Sequence, residues 1–408
     1  MIEREIAPLL LRRFEQYPIV TVTGPRQSGK TTLCRTTFPD LPYVNLEAHH
    51  VREAAVADPV RFLAQFPDGA VLDEIQNAPD LPSYLQVLVD EERRNGLFVL
   101  TGSEQFGLTN TLSQSLAGRT ALLRLWPFSL AELRRAGAEG DVDGVLYSGC
   151  FPRVHAEGID PTAAMADYCS TYVERDARRI GNISNHSAFR RFLGLCAGRV
   201  GQLVNLSNLA GDTGVAHSTI AGWLNVLEAS DIVFRLQPHF ANTRKRLTKS
   251  PKLYFVDVGL AGYLIGIRSP EQLRTHPLRG ALFENAAVVE AVKHSHNHAR
   301  YAELSFFRTA DGLECDLLYP TPAGLAAVEI KSGSTPAGGW FDGLRRVRRT
   351  VPGVAAAAIV YGGAEPQARG DATAVPLGSF GALLADLDTL SPPPAPGVDL
   401  EPRERERP

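Results

Sequence analysis

The sequence predicts an α/β protein organised around a phosphate-binding loop, and three observations carry that expectation. The stretch Gly24-Pro25-Arg26-Gln27-Ser28-Gly29-Lys30-Thr31 fits the pattern G-x-x-x-x-G-K-[ST] without a mismatch. About 40 residues further on, Ala70-Val71-Leu72-Asp73-Glu74 is an apolar run that ends in two carboxylates. The first ~125 residues also alternate strand-like and helix-like segments, as βα units do.

Strands are expected at residues 19–23, 43–46, 69–73, 97–101 and 122–125. The loop follows the first of these and opens a helix over roughly residues 30–37. Its glycines let the backbone curl so that N–H groups face an anion, and the helix N-terminus adds partial positive charge there. Gly24, Pro25, Arg26, Gln27, Ser28, Gly29, Lys30, Thr31 and Thr32 therefore form the nucleotide-binding set. Lys30 reaches the β- and γ-phosphates and the Thr31 hydroxyl ligates Mg²⁺. Asp73 stands on the metal side, and Glu74 polarises the attacking water. The cofactors implied are ATP and Mg²⁺. No N-K-x-D guanine-reading motif occurs, and ATP over GTP is what the family resemblance given below implies.

Beyond the loop domain (1–125), residues 126–188 read as a helical lid or connector with a Gly-rich break at 137–144. Residues 189–270 have the layout of a winged helix. Its second helix is expected at 206–210, the turn at 211–214 and the third helix at 216–227, where Ile220, Leu224 and Leu227 repeat on one face. Strand-like runs at 232–236 and 252–256 would flank a basic wing. Residues 271–386 form a second α/β pattern, and 387–408 is a Pro-rich, charged tail expected to be disordered.

Composition excludes several classes. With 44% hydrophobic and 21% charged residues, the chain of 408 residues reads as a soluble protein of two or three domains. No secretory leader pattern opens it, and its longest apolar stretch, at 354–360, is too short to span a bilayer. Cys34, Cys150, Cys169, Cys196 and Cys315 are unpatterned, which suggests reduced thiols and a cytoplasmic location. Cys34 reads as a packed small residue, since no base lies nearby in sequence. A net charge of −3 argues against a surface coated with nucleic-acid contacts but leaves room for a local basic patch.

A second candidate centre lies in the C-terminal region. Asp316, a hairpin return and then Glu329-Ile330-Lys331 follow the pattern of restriction-endonuclease-like folds, with Glu284 on a preceding helix. Strand alternation puts Glu329 and Lys331 on one face. Asp316 and Glu329, joined by Glu284, would hold one or two Mg²⁺, while Lys331 would orient water for phosphodiester attack. A degenerate copy kept for packing or protein contact is the alternative, since a fold does not fix a function.

Arg244, Lys245, Arg246, Lys249 and Lys252 place five positive charges where a wing would grip DNA phosphates, or form a solvated loop. The run Arg345-Arg346-Val347-Arg348-Arg349 reads as an exposed helix face, and His294, His296 and His298 as surface histidines.

Together these blocks resemble a broad bacterial and archaeal family of AAA-type ATPases with a C-terminal domain of uncharacterised function. The resemblance covers nearly the whole chain up to the tail. It rests on residues 24–31, Leu72-Asp73-Glu74-Ile75-Gln76, Leu100-Thr101-Gly102-Ser103 and Leu116-Ala117-Gly118-Arg119. Tyr172-Val173-Glu174-Arg175-Asp176 and Ser250-Pro251-Lys252-Leu253-Tyr254-Phe255-Val256-Asp257 complete it. It implies a P-loop AAA-type domain, then a helical and winged-helix module, then a restriction-endonuclease-like α/β domain. It also implies a sensor role for Ser103 and an arginine-finger role for Arg119 in a homo-oligomer. A capping serine and a surface ion pair are the plainer readings of those two residues. The expected function is ATP hydrolysis that controls a DNA-binding winged helix and a nuclease-like domain, without membrane involvement. Its rival is a nucleotide-gated switch or scaffold whose C-terminal modules bind protein partners.

Overall fold

Strands β1 (Ile19–Thr23), β2 (Tyr43–Asn45), β3 (Ala70–Asp73), β4 (Phe98–Thr101) and β5 (Thr120–Arg124) form the first sheet of the computed structural model. They lie in the order β2-β3-β4-β1-β5, and every pairing is parallel. The structure describes residues 2–103, 115–138, 140–173, 183, 185–239, 250–300, 303–369 and 372–391.

Both sheet faces are covered, as a parallel sheet requires. Val20 and Val22 pack with Val71 and Val99 under α1 (Ala7–Gln16) and α2 (Lys30–Thr37), which contribute Leu9, Leu10 and Leu33. Ile19, Leu72 and Leu100 point the other way, onto α3 (His49–Ala57), α4 (Pro59–Leu63) and α5 (Leu81–Glu92). The period of two in the strands thus splits one apolar run between two helical layers. Because β4 lies between β1 and β3, the phosphate-binding loop, Thr101 and Asp73 share the carboxyl edge of three neighbouring strands.

The connector is a chain of short helices, α6 (Leu130–Arg135), α7 (Val142–Ser148), α8 (Pro152–Ala156) and α9 (Pro161–Tyr168), followed by a π-helical turn at Cys169–Val173. Gly149 ends α7 at φ 67, and a Cβ there would lie 2.2 Å from Asp257 Oδ1. Only glycine admits that approach.

Helices α10 (His186–Ala197), α11 (Leu206–Thr213) and α12 (His217–Ala229) precede an antiparallel pair, β6 (Val233–Pro238) and β7 (Lys252–Phe255). Two details differ from the sequence reading. Helix α11 continues through Gly211, and the chain turns only at Gly214, at φ 78. The hairpin is also not a free-standing unit. The end of β6 pairs in parallel with β8 (Ser305–Arg308), Gln237 with Ser305 and Pro238 with Phe306. The pair thereby becomes the edge of an eight-stranded mixed sheet that crosses residue 270.

That sheet runs β12-β13-β11-β10-β9-β8-β6-β7, with β9 (Glu314–Thr321), β10 (Gly324–Lys331), β11 (Val354–Tyr361), β12 (Gln367–Arg369) and β13 (Ala372–Pro376). Helices α13 (Val258–Leu264), α14 (Pro270–Arg274), α15 (Arg279–Asn297), α16 (Gly338–Thr350) and α17 (Phe380–Leu387) complete this half. Arg345, Arg346 and Arg349 lie on the exposed face of α16, while Phe341, Leu344 and Val347 fill the core.

His298 is exposed, as expected, but the other two histidines are placed differently. His294 is buried and its Nε2 lies 3.1 Å from Asp388 Oδ2, while His296 packs 5.5 Å from the Trp126 ring. Asp388, assigned from sequence to the disordered tail, also accepts from Tyr319 at 2.9 Å and Arg300 at 3.0 Å. These partners hold Asp388, the residue directly after α17. The basic residues Arg244, Lys245, Arg246 and Lys249, and the block Glu174-Arg175-Asp176, lie outside the described residues. Among those described, no helix is long and apolar enough to cross a membrane.

Candidate functional site

The loop after β1 takes the conformation its glycines permit. Gly24 has φ 137 and a Cβ there would lie 2.1 Å from Leu125 O, while Gly29 has φ 91 and leads into α2. Lys30 is buried, and its Nζ donates to the carbonyls of Gly24 at 3.0 Å and Pro25 at 2.9 Å. Burial lowers its pKa, opposed by the nearby charge of Glu74.

Asp73 is the hub of the facing edge. It accepts from Thr31 at 2.8 Å and from Tyr43 at 2.6 Å through Oδ2, and from the Thr101 hydroxyl through Oδ1. Thr101 in turn accepts the Glu74 N–H at 3.3 Å. Glu74 adopts left-handed backbone angles, φ 59 and ψ 49, a strained state for a residue with a Cβ. Its carboxylate accepts from Gln76 Nε2, which also lies 3.4 Å from Ser103 Oγ. Thr31, Asp73, Thr101, Glu74, Gln76 and Ser103 are thus one hydrogen-bonded chain.

Arg26, Gln27, Gly29, Lys30, Thr31, Thr32 and Glu74 line a cleft of about 730 Å³ whose opposite wall includes Phe128, Pro152, Arg153 and His155. The residue types fit a Mg-nucleotide: Thr31 and Asp73 supply hard oxygens for the metal, and Arg26, Lys30 and Arg153 supply cations for phosphates. Arg119 is not among the lining residues. It forks onto Asp90 of the same chain, with Nε at 2.7 Å and Nη2 at 2.8 Å.

Arg4 joins the loop to the lid. Its guanidinium donates to Ser28 O at 2.7 Å and Trp126 O at 2.6 Å, and Nε lies 3.1 Å from Glu132 Oε1. Nothing local in the sequence marks Arg4 or Tyr43 as partners of this site, and Thr101 stood out only within the family block Leu100-Thr101-Gly102-Ser103. Gln76 was visible only as part of a family block.

The chain is 34% identical over 339 residues to uncharacterized protein Rv2008c of Mycobacterium tuberculosis, covering 82% of this chain and 75% of the relative. The chain belongs to the family of that protein. Uncharacterized protein Mb2031c of Mycobacterium bovis matches with the same figures. Residues 16–134 match the AAA domain family, so the N-terminal unit is an AAA-type P-loop ATPase domain. Residues 139–271 and 279–380 match two domains of unknown function, DUF8612 and DUF4143. The Walker-type ATPase PABY2304 of Pyrococcus abyssi superimposes with a TM-score of 0.45 at 16% identity, over 65% of this chain and 96% of that one.

In this family member a second cluster draws on both domains of unknown function. Glu284 of α15, Asp316 of β9, and Glu329 and Lys331 of β10 come together beneath a cleft of about 980 Å³. Lys331 Nζ is 2.6 Å from Glu329 Oε1 and 3.9 Å from Asp316 Oδ2, and the Ile330 N–H donates to the latter oxygen at 2.9 Å. Burial first, then the Asp316 charge, pushes the Glu329 carboxyl up to about 7 and raises that of Glu284. Glu314, Lys252 and Tyr254 also belong to this cluster. The strand alternation that puts Lys252 and Tyr254 on one face of β7 was legible, but its destination was not.

Proposed function

We propose that this chain is a Mg²⁺-dependent ATP hydrolase that acts as a nucleotide-gated switch on its own C-terminal half. The observation that carries this is the hydrogen-bonded chain from Thr31 through Asp73, Thr101, Glu74 and Gln76 to Ser103. Lys30 exchanges the Gly24 and Pro25 carbonyls for the β- and γ-phosphates. Bound at Thr31 and Asp73, Mg²⁺ would neutralise phosphate charge. Glu74 takes a proton from water, whose oxygen bonds to the γ-phosphorus. The bond from that phosphorus to the β,γ-bridging oxygen breaks, and ADP leaves with the electron pair. Gln76 and Ser103, at the far end of that chain, would respond to loss of the γ-phosphate.

The route to the C-terminal half runs through the lid wall of the cleft. Glu290 of α15 accepts the Leu130 N–H with both oxygens at 3.1 Å, and Lys293 donates to Phe128 O at 2.6 Å. A lid that closes on nucleotide therefore pulls on α15, which carries Glu284. Phosphate release from ATP by wild type, with Lys30→Ala and Glu74→Gln beside it, tests the reading. Undiminished turnover in either variant overturns the assignment. Nucleotide-dependent hydrogen exchange over residues 126–157 and 279–297 in Glu74→Gln tests the switch.

DNA is the target proposed for the C-terminal half. In its favour, Lys331, Arg308, Arg235 and His217 line the same 980 Å³ cleft as Ser250, which follows in sequence the segment that carries Arg244, Lys245, Arg246 and Lys249. Binding of this kind falls steeply with salt. Retention on DNA at low salt, lost on neutralising those four residues, is the expected result. ATP turnover that ignores DNA and answers to a protein partner would favour the scaffold reading.

A further inference from the structure

A nuclease-like centre works through a divalent cation held by its carboxylates, so the first question is whether this cluster has room for one. The four acids are Glu284 on α15, Glu314 and Asp316 on β9, and Glu329 on β10. Between the first three lies the ammonium of Lys252. Its Nζ is 2.9 Å from Glu284 Oε1, 2.7 Å from Glu314 Oε1 and 3.6 Å from Asp316 Oδ1. The side chain is 3% exposed, sits 5.4 Å from the Phe306 ring centroid and lies at the floor of the 980 Å³ cleft.

Three of the acids have further partners. Tyr254, two residues along the same strand face, donates to Glu284 Oε1 at 2.6 Å. Asp316 Oδ2 accepts the Ile330 N–H at 2.9 Å, and Glu329 Oε1 faces Lys331 at 2.6 Å. Magnesium asks for octahedral oxygens at about 2.0–2.1 Å and tolerates little departure from that shape. An ammonium in the midst of the carboxylates takes the space between them and one oxygen of each of three acids, and adds like-charge repulsion at close range. Among the described residues, no group of three or more His, Cys, Asp or Glu side chains is arranged to hold a metal ion.

We infer that Lys252 is the resident cation of the C-terminal centre: its ammonium stands where a nuclease would carry a divalent metal, and the folded centre takes up none. The acids and Lys331 do not fit a resident Mg²⁺ while Lys252 is in place. This also explains how several carboxylates persist together in a buried site without repelling one another apart, since two lysines neutralise them in place. Burial alone would lower the pKa of Lys252, but Glu284, Asp316 and Glu314 together raise it above the ordinary lysine value. The ion pairs also join β7, from the region of one domain of unknown function, to α15 and β9 of the other. The centre is therefore a charged joint between the two C-terminal units rather than a metal-dependent cutting site. This inference does not depend on the ATPase reading.

The test is Mn²⁺ titration of the nucleotide-free full chain, followed by the electron paramagnetic resonance signal of free Mn²⁺. Wild type and Asp316→Asn are expected to give superimposable curves. Lys252→Met is expected to gain one Mn²⁺, bound at least tenfold tighter than any wild-type site, and Lys252→Met/Asp316→Asn to lose it. One equivalent bound by wild type and abolished by Asp316→Asn would overturn the inference. So would a folded Lys252→Met, checked by circular dichroism, that gains none. If Lys252→Met fails to fold, the comparison of wild type with Asp316→Asn decides alone. Thr31 and Asp73 are common to all four chains, so the phosphate-binding loop contributes equally to each.

Discussion

The hydroxyl of Thr31, in the first turn of α2, donates to the Asp73 carboxylate at the end of β3 across a distance of 2.8 Å. The two residues are joined although β4 separates their strands in the sheet. This contact joins the two groups proposed to stand on the metal side. Asp73→Asn keeps the hydrogen-bonding shape but loses the charge. Turnover of ATP is expected to fall by roughly 10²-fold or more, and the Mg²⁺ needed for half-maximal rate to rise. A Mg²⁺ titration of the rate checks both.

Glu74 is held in a left-handed backbone state and hydrogen-bonded by Gln76, which fixes where its carboxylate points. Glu74→Gln is expected to bind ATP with near wild-type affinity and to lose roughly 10²- to 10⁴-fold in turnover. Binding measured by fluorescent-nucleotide displacement, beside steady-state phosphate release, separates the two effects.

Gln76 touches both Glu74 and Ser103 and does not line the cleft, so the role proposed for it is positioning. Gln76→Ala should lower kcat roughly ten- to a hundredfold while KM moves little. A rise in KM with kcat unchanged would show instead that Gln76 serves binding.

Arg4 makes two backbone hydrogen bonds and an ion pair with Glu132, which is 1% exposed. Replacing Arg4 with Met strands that carboxylate in the interior. A loss of about 3–5 kcal/mol in unfolding free energy is expected, read from urea denaturation at pH 7. Nucleotide affinity should fall too, because Arg4 holds the backbone of Ser28.

Burial pushes the Glu290 carboxyl up to about 7. In the unfolded chain it titrates near its ordinary value of 4.5. Between these two values the folded state keeps a proton that the unfolded state has released. Stability from this group is therefore full below about 4.5, declines as pH rises to about 7, and is flat beyond. Glu290→Gln should remove this decline, which is on the order of 3 kcal/mol. Denaturation midpoints compared at pH 5 and pH 8 would show it.

Much of this molecule was readable along the chain because its information is local. The pattern from Gly24 to Thr31 fits within one loop, and the apolar run ending at Asp73 is one strand. The second cluster was half legible. Glu329 and Lys331 follow from alternation within β10, and Asp316 and Glu284 from their spacing to it. The winged-helix outline gave the order of helices and hairpin. It did not show that Gln237 and Pro238 would pair with β8 and draw the hairpin into the larger sheet.

The sequence by itself determined that a phosphate-binding loop meets an acidic strand end, since both are short-range patterns whose chemistry depends on neighbours a few residues away. Only the tertiary structure decided which distant groups complete each site. Arg4 reaches Trp126, Gln76 reaches Ser103, Arg119 turns to Asp90 of its own chain, and His294 finds Asp388. Lys252 is the sharpest instance. In sequence it is the last charge of a basic run, fit for solvent or DNA. In the fold the alternation of β7 turns it inward, where three carboxylates on other elements fix it as a buried cation.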